Sequence, residues 1–246
     1  MDVLKREIFS AMKRANLTSA IDLFGKSYAL VRKNLNTYAL VYAIPAALVI
    51  AGAVQLLDNN QNDAWDWSSA FSSSVLGPNL GSDSSFATAS TIFAIVLLVA
   101  SIISYFLATI LNLRVVQGQK QGFRSIWNEF QDNWLWARLV GLGILTILIL
   151  IVGFVLLIIP GIILLWRLFL APYILIDKKT DVMSSLADSW NMTKGYAWPV
   201  YSILLFSLAL ALTAIVPIVG GLISFVLGVA YAVAPALRYQ EIKKAL

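Results

Sequence analysis

Two kinds of segment alternate along the chain: long stretches without charge, and shorter ones in which apolar residues recur every three or four positions among lysines and arginines. Residues 34–57 and 84–113 carry no charged side chain. A bilayer core about 30 Å thick takes roughly 20 apolar residues of helix, so each of these runs supplies one span, over 37–57 and 88–112. The run 139–176 contains a single charge, Arg167, and as one helix it would reach about 57 Å, nearly two bilayers. It must fold back, and Ile159-Pro160-Gly161 supplies the break, because proline lacks an N–H and glycine accepts the dihedrals of a reversal. The uncharged run 195–237 poses the same problem and offers Pro217 with Gly220-Gly221. The pattern predicts an all-α integral membrane protein of six transmembrane helices, arranged as three hairpins.

Each hairpin is preceded by an amphipathic helix. Leu17, Ile21, Phe24, Tyr28, Val31 and Leu35 share one helical face, as do Phe123, Trp127, Phe130 and Trp134, and again Met183, Leu186 and Trp190. Ser27-Tyr28 followed by Arg32 matches Ser189-Trp190 followed by Lys194, and Ala171-Pro172 near the end of the fourth span matches Ala234-Pro235 near the end of the sixth. The chain therefore reads as three copies of one unit: interfacial helix, span, turn, span. As a single membrane domain over 1–246 it divides into interfacial helices over 1–36, a first hairpin over 37–117 with an outer loop at 58–86, a second over 118–178, and a third with its tail over 179–246. An aromatic stripe opposite Lys and Arg lies in the headgroup plane, which makes Tyr28, Trp127, Trp134 and Trp190 interfacial aromatics and places Trp136, Tyr196 and Trp198 in the same belt. The other reading packs these stripes as core against the ends of the spans.

Charge fixes the expected orientation. Seventeen of the 18 basic residues fall in segments that six alternating spans put on one side, and the opposite side receives Asp58, Asp63, Asp66 and Asp83. Lysine and arginine stay in the cytoplasm, so both termini and the three amphipathic helices are expected there, in a cell membrane expected to be a bacterial plasma membrane. The net charge of +5 is then a topology signal, with attraction to anionic lipid a second reading and nucleic acid not implied. The first 36 residues are charged throughout, unlike a cleavable signal peptide, so insertion is expected to begin at a retained span. The outer loop is polar, with Trp65, Trp67 and Phe71 expected to dip into the interface.

Small residues at steps of four let helices approach closely in lipid. Ala39, Ala43, Ala47 and Ala51 form one such stripe, and Gly220, Ser224, Gly228, Ala232 and Ala236 another. They are expected to pack the bundle, or alternatively to form a face between two copies of the chain.

Candidate chemistry is sparse. Cysteine and histidine are both absent, which removes thiolate nucleophiles, disulfides, and the commonest general base and metal ligand. Phosphate-binding glycine loops, nucleophile elbows and paired catalytic carboxylates are not found either. No catalytic residue, cofactor or metal is expected, and the chain does not read as an enzyme. Arg167 is the one charge inside a span, where a guanidinium costs several kcal/mol unless it finds partners or reaches water. It follows Pro160 by about 10 Å of helix. One reading has it snorkel outward or bond carbonyls freed near Pro160; the other has it contact an anion or lipid headgroup between hairpins. Gln55, Asn112 and Asp177 sit at span ends, where water is expected to satisfy them.

Ile159-Pro160-Gly161, Arg167, Ala171-Pro172, Asp177, Ser189-Trp190 and Lys194-Gly195 together resemble the membrane domain that accompanies some bacterial glycerophosphoryl diester phosphodiesterases, and related small uncharacterised membrane proteins carrying that domain alone. The likeness is best over residues 120–240. In the full-length enzymes of that family the hydrolytic site is a separate soluble barrel, for which this chain has no counterpart, so the resemblance implies the membrane portion without the activity. The expected function is a non-enzymatic membrane module that organises lipid or a partner protein, as a monomer or a homo-oligomer. The alternative is a small transporter or channel in which Arg167 meets an anionic substrate or headgroup.

Overall fold

The computed structural model describes residues 17–59, 84–119, 122–216 and 219–246, and within them the chain is helical and without strands. The helices are α1 (Ala20–Lys33), α2 (Leu35–Asn59), α3 (Ser84–Val116), α4 (Phe123–Gln131), α5 (Leu135–Leu156), α6 (Ile158–Leu168), α7 (Ala171–Lys178), α8 (Val182–Met192), α9 (Ala197–Ala211), α10 (Gly220–Tyr231) and α11 (Ala234–Ala245). Five stretches are long and apolar enough to cross a bilayer: Leu98–Val116, Leu135–Leu156, Ile159–Lys178, Ala197–Ile215 and Gly220–Ala245. This is the make-up of an all-α membrane protein. The first 16 residues, the outer-loop Trp65, Trp67 and Phe71, and Pro217 lie outside the described residues, as do the side chains of Ala51 and Gln55.

The second hairpin turns at a different place from the one its proline marks. Leu157 alone links α5 to α6, in extended backbone with φ −165° and ψ 147°. Pro160 is the third residue of α6, within the first turn, where N–H groups have no helical partner and a proline loses nothing. Gly161 is needed for contact rather than reversal, since a Cβ there would stand 2.6 Å from the Phe154 ring. Gly153 faces it across the hairpin, where a Cβ would collide with Leu164 Cδ1 and stand 3.2 Å from the Gly161 Cα. The third hairpin uses Gly220 similarly: a Cβ would lie 2.5 Å from the carbonyl oxygen of Thr213, which is backbone and cannot swing aside.

The amphipathic helices lock onto the ends of the hairpins. Helix α4 packs on α3, α8 on α6 and α7, and α1 on α10 and α11, which brings the first described helix against the last hairpin. Two of these contacts are built alike. At Ala171-Pro172 and Ala234-Pro235 the span breaks into two helices, α6/α7 and α10/α11, because proline donates no backbone hydrogen bond. A serine plugs each break. The Ser189 hydroxyl donates to the Arg167 carbonyl at 2.7 Å, and the Ser27 hydroxyl donates to the Ala230 carbonyl at 2.7 Å while accepting from the Val233 N–H at 3.2 Å. Arg167 and Ala230 each stand four residues before the alanine of their Ala-Pro pair, so the two plugs occupy matching places. Helix α3 contains no proline and runs through unbroken, and the Thr109 hydroxyl bonds within its own helix to the Tyr105 carbonyl.

Helices α3, α7 and α11 meet at the centre. Ile110, Leu111, Leu113, Ile174, Leu175 and Tyr239 are fully buried there. Within the chain the small-residue stripes pack only in part. Ala39, Ala43 and Ala47 are exposed along α2, whose buried side is formed by Tyr38 and Val41. Gly220 packs tightly and Ala236 is buried, but Ser224 is half-buried and Gly228 is exposed with nothing within 4 Å of a Cβ. Spacing in fours identified the stripe but not which way it faces. Gly220→Val is therefore expected to lower stability by about 1–3 kcal/mol through overpacking, whereas Gly228→Ala stays near wild type. Thermal unfolding of the detergent-solubilised protein checks the contrast.

Candidate functional site

The ends of the helices that carry the basic residues are joined by a continuous set of polar contacts. Asp177, in the last turn of α7, accepts from the Gln117 amide at 2.8 Å, the Tyr239 hydroxyl at 2.6 Å and the Lys243 ammonium at 2.5 Å. Gln117 continues the chain, its Oε1 accepting from Arg114 Nη1 at 2.7 Å. The other edge of Arg114, Nε with Nη2, grips Glu129 of α4. Helices α3, α4, α7 and α11 are thereby tied through one knot of side chains. A carboxylate shielded to 9% exposure persists only because three donors replace its water. Nearby, Arg238 is 1% exposed and divides its bonds between Glu241 and the Thr18 carbonyl, each at 2.8 Å, which anchors α11 to the entry of α1.

A second polar line runs along the first hairpin. The Tyr38 hydroxyl donates to Asn112 Oδ1 at 2.8 Å, and Asn112 Nδ2 donates to the Ala232 carbonyl at 2.9 Å, at the α10/α11 break. Tyr38 stacks on Tyr42, and Tyr42 meets Phe225 edge to face. Asn112 and Asp177 are thus not satisfied by water, as their places at span ends implied. They are spent on other helices, because the span ends converge on one another.

Arg167 turns away from Pro160. Its guanidinium lies 4.1 Å from the ring centroid of Trp166 and 5.0 Å from that of Trp190, and Nη1 donates to the Trp190 carbonyl at 3.0 Å. Trp190 belongs to α8, so the charge lies where the span meets an amphipathic helix and not among carbonyls near the hairpin turn. The α8 hydroxyls explain the direction: Ser189 and Thr193 both reach the Arg167 carbonyl, at 2.7 and 3.5 Å, drawing α8 over this residue. The guanidinium is left incompletely paired. Nε is buried without a partner, an arrangement that costs about 1–3 kcal/mol when nothing replaces the lost water.

The interfacial aromatics divide between the two readings. Trp134, Tyr28 and Trp198 are exposed at 69%, 50% and 74%, with Trp136 and Trp190 partly so, as an interfacial belt requires. Trp134 and Trp136 stack with ring centroids 5.8 Å apart, Trp134 adopting a left-handed φ of 56° where it begins α5. Phe130, Leu186 and Val31 are buried core, Trp127 is half-buried between Phe123 and Phe130, and Tyr196 is buried rather than at the belt. The residues that sequence reading passed over are Ser27 and Ser189 as plugs, and Tyr38 and Tyr239 as donors. The serines had a signal in their matched Ser-aromatic pairs; the tyrosines had none. No family model, curated protein or solved structure matches the chain.

Proposed function

We propose that this chain is a six-span plasma-membrane module built from three copies of a helix-and-hairpin unit. Its basic face is cytoplasmic, and it holds lipid or a partner membrane protein without catalysing a reaction. The observation that carries this reading is the use of the polar groups at the basic end. Asp177, Gln117, Tyr239, Arg114 and Glu129 are satisfied by one another, as in a brace, while Tyr28 of α1, Trp134 just after α4 and Trp190 of α8 remain outward. Outward aromatics beside basic residues suit a headgroup layer. The likeness to membrane domains that accompany glycerophosphoryl diester phosphodiesterases agrees with a module of this kind.

A small transporter or channel is the second reading. The Tyr38 hydroxyl, buried between spans and bonded to Asn112, favours it, since buried polar groups between spans can line a path.

Extraction of the tagged protein into native nanodiscs, followed by mass spectrometry, separates these readings. Enrichment of one lipid class or one membrane protein over bulk membrane is expected for the module. Bulk composition together with a solute flux in proteoliposomes would replace it by the transporter. Topology has its own test, because the chain lacks cysteine. Single cysteines at Ser73 and Ser125 are expected to react with an impermeant thiol reagent in intact cells at position 73 only. Labelling at 125 would invert the map.

A further inference from the structure

Arginine binds an oxyanion best through Nε and Nη2, two parallel N–H groups that match two oxygens. Arg114 demonstrates this within the same protein: Nη1 takes the neutral oxygen of Gln117 while the Nε/Nη2 edge takes the carboxylate of Glu129. Arg167 is arranged the same way up to the last step. Its Nη1 takes a neutral oxygen, the Trp190 carbonyl. Its Nε has no partner, Nη2 donates to no described residue, and among the described residues no carboxylate forms an ion pair with it.

We infer that the unpaired Nε/Nη2 edge of Arg167, flanked by Trp166 and Trp190, is a binding site for a phosphate oxyanion presented at the basic face. The two indoles lie against the guanidinium, at 4.1 and 5.0 Å from ring centroid to Cζ, and hold its plane so that the edge is pre-oriented. Trp190 is partly exposed on α8, at the level where an amphipathic helix lies among headgroups. The oxyanion most abundant in that layer is the phosphate of a glycerophospholipid, and a soluble phosphate has the same recognition chemistry. The hydrogen bonds from Ser189 and Thr193 to the Arg167 carbonyl tie α8 to the backbone that carries this edge. This inference rests on the module reading for its membrane depth, and the cysteine labelling above can fail independently of it.

The test uses the full chain in nanodiscs of phosphatidylcholine doped with phosphatidylglycerol, with lipid retention read by native mass spectrometry after detergent release. Wild type is expected to retain phosphatidylglycerol, and Arg167→Gln to lose about tenfold or more, the worth of a charge-assisted pair. Arg167→Lys should fall between them, since an ammonium has the charge without the fork. Arg138→Gln removes one positive charge elsewhere on the same face and is expected to change nothing. Should Arg167→Gln not fold, Trp190→Ala keeps the backbone acceptor and removes a flank, and it should weaken retention several-fold. Displacement of the lipid by millimolar inorganic phosphate would identify a soluble phosphate as the ligand; resistance to it would identify the lipid. Equal retention by Arg167→Gln and wild type, or equal loss by Arg138→Gln, overturns the site.

Discussion

Asp177→Leu is expected to cost the fold about 2–4 kcal/mol. Three donors converge on this carboxylate, and they are not equal. Lys243 is 45% exposed and returns to water at little expense, so Lys243→Met should cost under about 1 kcal/mol. Tyr239 is fully buried, and its hydroxyl has no water to fall back on. Gln117 would lose its acceptor and loosen Arg114, since the two share a hydrogen bond. Asp177→Asn retains one carbonyl oxygen and should lose roughly half as much as leucine does. Tyr239→Phe in the Asp177→Leu background ought to recover part of the deficit by removing the orphaned hydroxyl, a rescue that a role confined to the Lys243 ion pair would not produce. Denaturation in mixed micelles, followed by far-ultraviolet circular dichroism, measures all of these. An Asp177→Leu variant within about 0.5 kcal/mol of wild type would mean that the knot is decorative.

The sequence made five apolar spans legible because bilayer thickness and helix rise are fixed lengths, and a charge-free run either fits them or must fold. It was less informative wherever one residue type serves two purposes. Pro160 reads as a turn but is equally at home in the first turn of a helix, and the reversal falls instead on Leu157, which carries no turn signature. Gly161 reads as conformational freedom and in fact supplies space under Phe154. Ala39, Ala43 and Ala47 have the spacing of a packing seam, yet spacing fixes a face and not its direction, and this one looks outward. Asn112 and Asp177 were placed correctly along their helices; what could not be read was that α3, α7 and α11 converge there. Arg167 was found by its charge alone. Its orientation depends on a backbone carbonyl of α8, and a carbonyl belongs to every residue and leaves no mark in a sequence.

The serine plugs were half legible, and they yield the other large effect. Ser27→Ala is expected to cost about 1–3 kcal/mol, because it strands the Ala230 carbonyl and the Val233 N–H, both in buried residues, at the break between α10 and α11. The break exists because Pro235 donates no hydrogen bond. In an uninterrupted helix the Ala230 carbonyl would take the N–H of residue 234, leaving nothing for a serine to satisfy. Ser27→Ala should therefore cost about 1 kcal/mol less, or become neutral, in a Pro235→Ala background, and the coupling is the measurement that matters. The same cycle with Ser189→Ala and Pro172→Ala is expected to behave alike at the α6/α7 break. Helix α3 contains no proline and is continuous, and the residue before the stripe aromatic Trp127 is the buried Ile126 where the other two amphipathic helices have serine. Strict additivity in both cycles would show that serine and proline contribute separately, and that their joint absence there has no physical connection.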